Sequence, residues 1–563
     1  MKYNYLKSMN DINSMKVVKV KKLLLKKNYE EVIVLIENNF SDIEKTSEIL
    51  NILGVCKLQK KNSNDFDLLS SIENFRDCYL KEKNTNQGIE GLLNFIVSSN
   101  KAKQYDESIK YFKETELTRR YIPKLYHLIV NIYKKLNDVE SAIYYLKIIM
   151  KNEGIKNDTL QAYIYLNGYI STWSQKDFFE NTIKLEEILP QYNISKIKNV
   201  KNKKIKLAFL SSDLKSKHSV VGFLKTIIKN VNKEKFEIIL FSNAKINKED
   251  ETSADLKTYF DQWINIEKLN DIDAIDIIRK KNINIMVDLM GLSSTNRLSL
   301  FKGRLAPIQI LWLGYNNTTG LSQMDYLIAD PNLIKKDEVK LYSEKILFLP
   351  NIWNCHSGLG ISRKESPSPL IKNKYITFGS FNNANKISDE VVNVWSKILR
   401  STNNSRLILK SSRKFCDKKL KEKFKKNKVL NLITFIDRKK SFHEHVDEYK
   451  KIDLALDTFP YNGVTTSFEA IWMGVPLLTL KGFNPTSRAG ESINKNLNMN
   501  YLIADNKNKY VQKASELANN FQKVIELRKN LFDKALESNL FNDKKFSKEF
   551  YENLEKIYFN YSS

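Results

Sequence analysis

LDTFPYNGVTTSFEAIWMGVPLLTL, residues 456–480, holds the unit from which the fold follows. An apolar strand closes at Leu456, Pro460 and Asn462-Gly463 turn the chain, a helix begins near Thr465, and a second buried strand, VPLLTL, follows at once. Two apolar strands joined through a helix form a parallel crossover, the unit of a doubly wound sheet. The turn leaves backbone N–H groups free at the strand's carboxyl edge. They sit with the positive end of the helix, about half an elementary charge, an arrangement that suits phosphate. Thr465 and Thr466 add hydroxyl donors, and Glu469, on the first turns, lies within reach of a ribose hydroxyl. An ordinary strand, turn and helix with a threonine cap would read the same way. No GxxxxGKS or GxGxxG occurs, so neither an ATPase nor a standard dinucleotide enzyme is favoured.

Outward from this stretch the same alternation recurs. KIKLAFLSSDL, FEIILFS and INIMVDLMG precede it, and KYITFGSF, SRLILKS and VLNLITFID lead into it. The pattern predicts two Rossmann-like domains, 204–360 and 371–563, the second carrying C-terminal helices, with NCHSGLGISRKESPSPL (354–370) as linker. A ligand cleft is expected between the carboxyl ends of the two sheets. Residues 1–198 read instead as helices. YDESIKYFK (105–113) maps onto VESAIYYLK (139–147) at a displacement of 34, carrying Ile109 onto Ile143 and Tyr111 onto Tyr145. That is the period of a tetratricopeptide helix pair, and weaker copies lie at 29–37 and 72–75. The domain is an all-α tetratricopeptide-like solenoid or an irregular bundle. Either would hold a peptide or partner rather than perform chemistry.

The formal charge of +27 comes from lysines spread along all 563 residues, not clustered with aromatics, so a solvated surface is expected rather than nucleic acid. The charge fits phosphate-bearing substrates. Four cysteines without a CxxC pair argue against a zinc site or a disulfide framework. No run of eighteen apolar residues and no apolar leader in MKYNYLKSMNDINSMKVVKVKK are found, which makes a cytoplasmic protein, without membrane contact, the expectation. Asp271-Ile272-Asp273 matches the DxD pattern of manganese-dependent sugar transferases, but it lies in a helical run with no strand before it. It reads as a solvated helix start, and no catalytic metal is predicted.

FLSSDLKSKHSVVGFL (209–224), DLMGLSSTNRLSLFKGRLAPIQILWLGYNNTTGLSQMDYLIAD (288–330), FGSFNNANKIS (378–388), HEHVDEYKKIDLALDTFPYNGVTTSFEAIWMGVPLLTL (443–480) and SRAGESI (487–493) resemble, in order, the motifs of the O-linked N-acetylglucosamine transferase and SPINDLY family, glycosyltransferase family 41. The resemblance implies a GT-B fold and inverting transfer of a sugar from a nucleoside diphosphate to a protein hydroxyl, with no metal or other cofactor. It makes Lys386 the lysine that holds the diphosphate, a role that charge building on the leaving phosphate would require. Asn383 stands where the family has glutamine beside the phosphates. His445, twelve residues before Asp457, resembles the base- and ribose-side histidine, Thr465 and Thr466 the paired threonines, and Glu469 the ribose acid. Asn462 and Gly463 complete the nucleotide loop. Val464 replaces a histidine of the animal enzymes.

Asp213 and His218 match the aspartate and histidine near the acceptor hydroxyl, and which of them takes the proton stays open. Leu313, Gly314 and Tyr315 resemble the wall of the sugar pocket. Asn316-Asn317 stands where the family often has Pro-Gly, which leaves the sugar open. The leading expectation is a UDP-N-acetylglucosamine-dependent protein O-glycosyltransferase whose acceptors lie on the helical repeats. GDP-fucose transfer and asparagine glucosylation are alternatives within the family. A non-catalytic repeat scaffold is the alternative outside it.

Overall fold

The computed structural model describes residues 15–118, 121–192, 197, 202–216, 218–360, 365–410 and 414–562. Residues 1–14, the expected domain boundary at 198, Lys217 of the SSDLKSKH motif and 361–364 of the expected linker lie outside them. The chain divides into two compact units, Met1–Gly154 and Ile155–Ser563.

The first unit is helical, with seven helices from Tyr29–Asn39 to Val139–Glu153 after a helical stretch at 15–25. Thr46, Asn64, Thr85 and Asp138 each cap a helix start by accepting a backbone N–H. The repeat shows in what is buried. Tyr105, Ser108, Tyr111, Phe112 and Thr115 of one helix shift by 34 onto Val139, Ala142, Tyr145, Leu146 and Ile149 of another, all buried. Two helices present the same face one repeat apart.

The helices Asn157–Asn167, Gln175–Thr182 and Lys184–Ile188 share the helical texture that predicts a domain running to 198, yet they belong to the second unit. That unit holds two parallel sheets. The first contains β1 (Ile205–Ser211), β2 (Phe236–Ser242), β3 (Gln262–Asn265), β4 (Ile285–Asp288), β5 (Ile308–Leu311), β6 (Tyr326–Ala329) and β7 (Lys345–Phe348), in the order β3-β2-β1-β4-β5-β6-β7. The second contains β8 (Ile376–Ser380), β9 (Ser405–Lys410), β10 (Ile433–Ile436), β11 (Leu454–Leu456), β12 (Leu477–Leu480) and β13 (Ile503–Ala504), in the order β10-β9-β8-β11-β12-β13. Every pairing is parallel; Leu207, for example, lies opposite Ile238 on one side and Ile285 on the other. The central strands are buried on both faces, which is why they read as unbroken apolar runs.

Strand order reverses between β1 and β4 in one sheet and between β8 and β11 in the other. These switch points are where open α/β sheets take ligands. Part of the expected linker is tied down: Trp353 and Cys355 are fully buried, and the His356 N–H donates to the Leu540 carbonyl at 2.9 Å. The final helix, Asp543–Ser562, crosses back to the first sheet. There the Ser547 hydroxyl donates to the Thr226 carbonyl and Tyr551 to that of Ile227, and Phe550 packs on Trp312 at 4.8 Å. SRAGESI joins the lobes. The Arg488 guanidinium clasps Glu338 with two hydrogen bonds, one of 2.7 Å, and the Ser492 hydroxyl donates to Asp330, just past β6, at 2.7 Å. No helix among the described residues is long and apolar enough to cross a membrane.

Candidate functional site

At the switch point of the second sheet, Asp457 follows β11 and is fully buried. Its carboxylate accepts the N–H groups of Thr458 (2.9 Å) and Gly463 (2.7 Å) and the Thr479 hydroxyl (2.7 Å), so it shapes the whole turn from inside. Burial raises its pKa. The side chain of Asn462 is taken up by the turn as well: it donates to the Thr458 carbonyl at 2.8 Å and accepts the Gly490 N–H at 3.1 Å. Only its backbone carbonyl faces Lys386, whose ammonium donates to it at 2.7 Å and lies 4.4 Å from the centre of the Tyr461 ring. Burial lowers the Lys386 pKa while the Asp457 carboxylate opposes that fall. A desolvated ammonium at a turn that opens a helix is chemistry suited to an anion.

The helix Thr465–Trp472 begins behind this lysine, and its cap, Val464, supplies no side-chain bond to the free N–H groups. The Thr466 hydroxyl donates to Asn382 at 2.8 Å, bringing the loop after β8 onto the helix start. A Cβ at Gly463 would come within 2.6 Å of the Thr466 hydroxyl, 2.8 Å of that of Ser467 and 2.9 Å of the Asn382 amide oxygen. The absence of a side chain there keeps a polar cradle open. The Ser467 hydroxyl is buried without a protein partner. Asn383 is exposed and caps the single turn 384–386 by accepting the Asn385 N–H at 3.2 Å.

Toward β9 the cleft changes character. Glu469, buried, accepts the Tyr449 hydroxyl at 2.9 Å and lies 3.1 Å from His445 Nε2. The Lys410 ammonium, at the end of β9, is 3.4 Å from the same His445 nitrogen. Phe381 packs on Tyr449 at 4.6 Å and reaches His445 at 6.0 Å.

The first sheet faces this site with the residues after β1, β4 and β5. Asp213 Oδ1 is 3.6 Å from His218 Nε2, and the Ser212 hydroxyl donates to the same oxygen at 3.3 Å. His218 Nδ1 is buried without a protein partner. Burial lowers the His218 pKa; Asp213 opposes this and Lys215 adds to it. Asp288 ends β4 fully buried, and burial pushes it up to about 7 against the Met290 and Gly291 N–H groups it accepts at 2.9 and 3.0 Å. Asp213 adds repulsion from next door. Leu313 has φ +79° and is spanned by a bond from the Gly314 N–H to the Trp312 carbonyl, a strained three-residue turn. A Cβ at Gly314 would strike the Leu289 carbonyl at 1.9 Å, so only glycine lets the loops after β4 and β5 meet. Tyr315 is buried beneath them. Asn317 of the GYNN departure turns away from the cleft and forms a reciprocal amide pair with Gln175 at 2.9 and 3.2 Å.

Tyrosines connect the two halves. Tyr165 lies 6.5 Å from Tyr315, and Tyr169 stacks on Tyr461 at 4.8 Å, Tyr461 being the ring beneath Lys386. The residues picked from motifs thus fall on the facing edges of two sheets. Lys410, Tyr449 and Tyr461 join them without having been singled out. A lysine ending an apolar strand at its carboxyl edge was the available signal for Lys410. Tyr165 and Tyr169 carried none, since their helix reads like any other. Asp271 starts the helix Asp271–Lys280 as expected, but it is not the solvated residue that reading made it: its half-buried carboxylate is held by Arg297, Ser299 and Tyr192.

A sequence profile described as Glycosyl transferase family 41 matches residues 181–357 and 362–550. A probable UDP-N-acetylglucosamine--peptide N-acetylglucosaminyltransferase SPINDLY of Solanum lycopersicum is 30% identical over 388 residues, covering 66% of this chain and 40% of the relative. The Arabidopsis thaliana protein of the same name is 31% identical over 377 residues, 63% of this chain and 40% of its own. The chain therefore spans about two fifths of the length of these relatives. Among solved structures, a mutant O-GlcNAc transferase of Thermobaculum terrenum superposes with a TM-score of 0.75 at 21% identity, over 93% of this chain and 99% of that one, and shares its fold.

Proposed function

The chain belongs to glycosyltransferase family 41, and on that footing we propose that it transfers N-acetylglucosamine, with inversion, from its UDP conjugate to a serine or threonine hydroxyl of a protein. The plant relatives' names, which give UDP-N-acetylglucosamine as donor and a peptide as acceptor, support this choice of donor. The observation that carries the reading is the Lys386 ammonium, desolvated and held on the Asn462 carbonyl at the β8/β11 switch point.

The diphosphate lies across Lys386, the Gly463 cradle and the start of the helix at Thr465. The ribose turns toward Glu469 and His445. The sugar extends toward Leu313, Gly314 and Tyr315, with its anomeric carbon facing Asp213 and His218. As the acceptor oxygen bonds to that carbon, the bond to the phosphate oxygen breaks. The electron pair leaves on the diphosphate, where Lys386 neutralises it, and the acceptor proton passes to His218 or Asp213, directly or through water. No step draws on a metal or other cofactor. Acceptor proteins are held by the helical repeats of the first unit, and the reaction takes place in the cytoplasm.

The test is sugar transfer by the full chain with a panel of donors. Lys386→Ala is expected to lower transfer by roughly 10²-fold or more. Turnover of GDP-fucose alone would replace the donor, and hexose on asparagine would replace the acceptor. Wild type and Lys386→Ala equally inert with every donor would leave a repeat scaffold.

A further inference from the structure

We infer that Lys410 reads the nucleobase of the donor, its ammonium donating a hydrogen bond to a keto oxygen on the base edge. This rests on the glycosyl-transfer reading above. It names a determinant of which nucleotide enters.

Position comes first. The diphosphate groups lie on the loops after β8 and β11, and the order β10-β9-β8-β11 places the end of β9 one strand further along the same edge. Neighbouring strands stand about 4.8 Å apart. A nucleotide whose phosphates sit at Lys386 and whose ribose meets Glu469 runs its base toward Lys410. The wall there is aromatic, formed by Phe381, His445 and Tyr449.

Hydrogen-bond accounting comes second. His445 Nε2 has Glu469 Oε2 at 3.1 Å and Lys410 Nζ at 3.4 Å, and one ring nitrogen cannot serve both. The Glu469 carboxylate only accepts, so the nearer contact puts the proton on Nε2. That N–H then points at a carboxylate and offers the lysine no lone pair. Lys410 makes no ion pair with an acid among the described residues, though Glu469 attracts it from a distance and Arg438 repels it. Burial, the largest cause, lowers its pKa; Glu469 opposes that fall and Arg438 adds to it. An ammonium so placed is short of an acceptor oxygen, and three N–H donors without a lone pair distinguish a carbonyl from an amine. Uracil and guanine present a keto group where cytosine and adenine carry an amino group.

The experiment is titration of the full chain with UDP, CDP, GDP, ADP and inorganic pyrophosphate, for wild type, Lys410→Met and Lys410→Arg. Wild type is expected to prefer UDP over CDP, and GDP over ADP, by about tenfold or more, the discrimination one charged hydrogen bond provides. Lys410→Met erases both preferences and leaves pyrophosphate affinity unchanged; Lys410→Arg, still a donor, retains part of them. A wild type indifferent to keto and amino bases overturns the inference. So does a Lys410→Met that weakens pyrophosphate as much as UDP, which would make the lysine a phosphate ligand. Either result, with transfer intact, leaves the transferase reading standing. A wild type that binds no nucleotide at all overturns both.

Discussion

Lys386 and His218 are both desolvated, and burial moves both pKa values down, with opposite consequences if they act as the proposed function has them, Lys386 on the leaving group and His218 as the base. His218 can take a proton only when neutral, so lowering it below the ordinary 6.5 extends the active range toward acid. Lys386 must be charged, so its fall below 10.5 brings the alkaline limit inward. The kcat/KM profile of the free enzyme is expected to be bell-shaped, its acid limb below pH 6.5 and its alkaline limb below 10.5. Lys386→Arg, whose guanidinium stays charged throughout, should remove the alkaline limb even if the rate falls. An unmoved limb would assign it to another group. Among 92 lysines and arginines, nothing in composition or period singles out Lys386; only its motif does. The structure adds the physical reason, a carbonyl at 2.7 Å and a tyrosine face beneath it, and both come from residues far away in sequence.

The turn after β11 and the turn after β5 are both built around a missing side chain. Gly463→Ala places a methyl within 2.6–2.9 Å of three polar atoms, each at the end of a side chain that has to swing aside rather than in the backbone, so folding should survive. The cradle is then filled, and the donor Kd is expected to rise by about tenfold, measured by titration with UDP. Gly314→Ala meets a backbone carbonyl at 1.9 Å, which cannot yield without separating the loops after β4 and β5. A loss of stability above about 2 kcal/mol is expected in denaturant titration, together with lost transfer. Turn chemistry made FPYNG legible in the sequence, because Pro, Asn and Gly leave few conformations. The strain at Leu313 was not legible, since leucine gives no sign of a positive φ. SRAGESI was legible as a motif and opaque in role, because Arg488 and Ser492 act on Glu338 and Asp330, more than 140 residues away in sequence.

The final helix belongs by sequence to the second lobe and packs on the first. Phe550 is fully buried against Trp312, so Phe550→Ala is expected to cost about 3–5 kcal/mol, read as a lowered midpoint at unchanged slope in denaturant. A periodic pattern tells which face of that helix is apolar and never which sheet will cover it. The two parallel sheets were readable because their strands are apolar on both faces; the end of the helical domain was not, because the helices from Asn157 on look like those before them. Their tyrosines show why the distinction matters: Tyr165 and Tyr169 lie against Tyr315 and Tyr461, inside the unit that carries the cleft. A chain starting at Ile155 keeps these rings, both sheets and the closing helix, and loses only the first unit. Under the proposed function it is therefore expected to bind UDP with the same affinity as the whole chain, while transfer to protein acceptors falls by about tenfold or more, because a tethered acceptor no longer raises its own effective concentration. Mass spectrometry of proteins incubated with either form measures this, and equal transfer by both would mean that the repeats do not hold the acceptor.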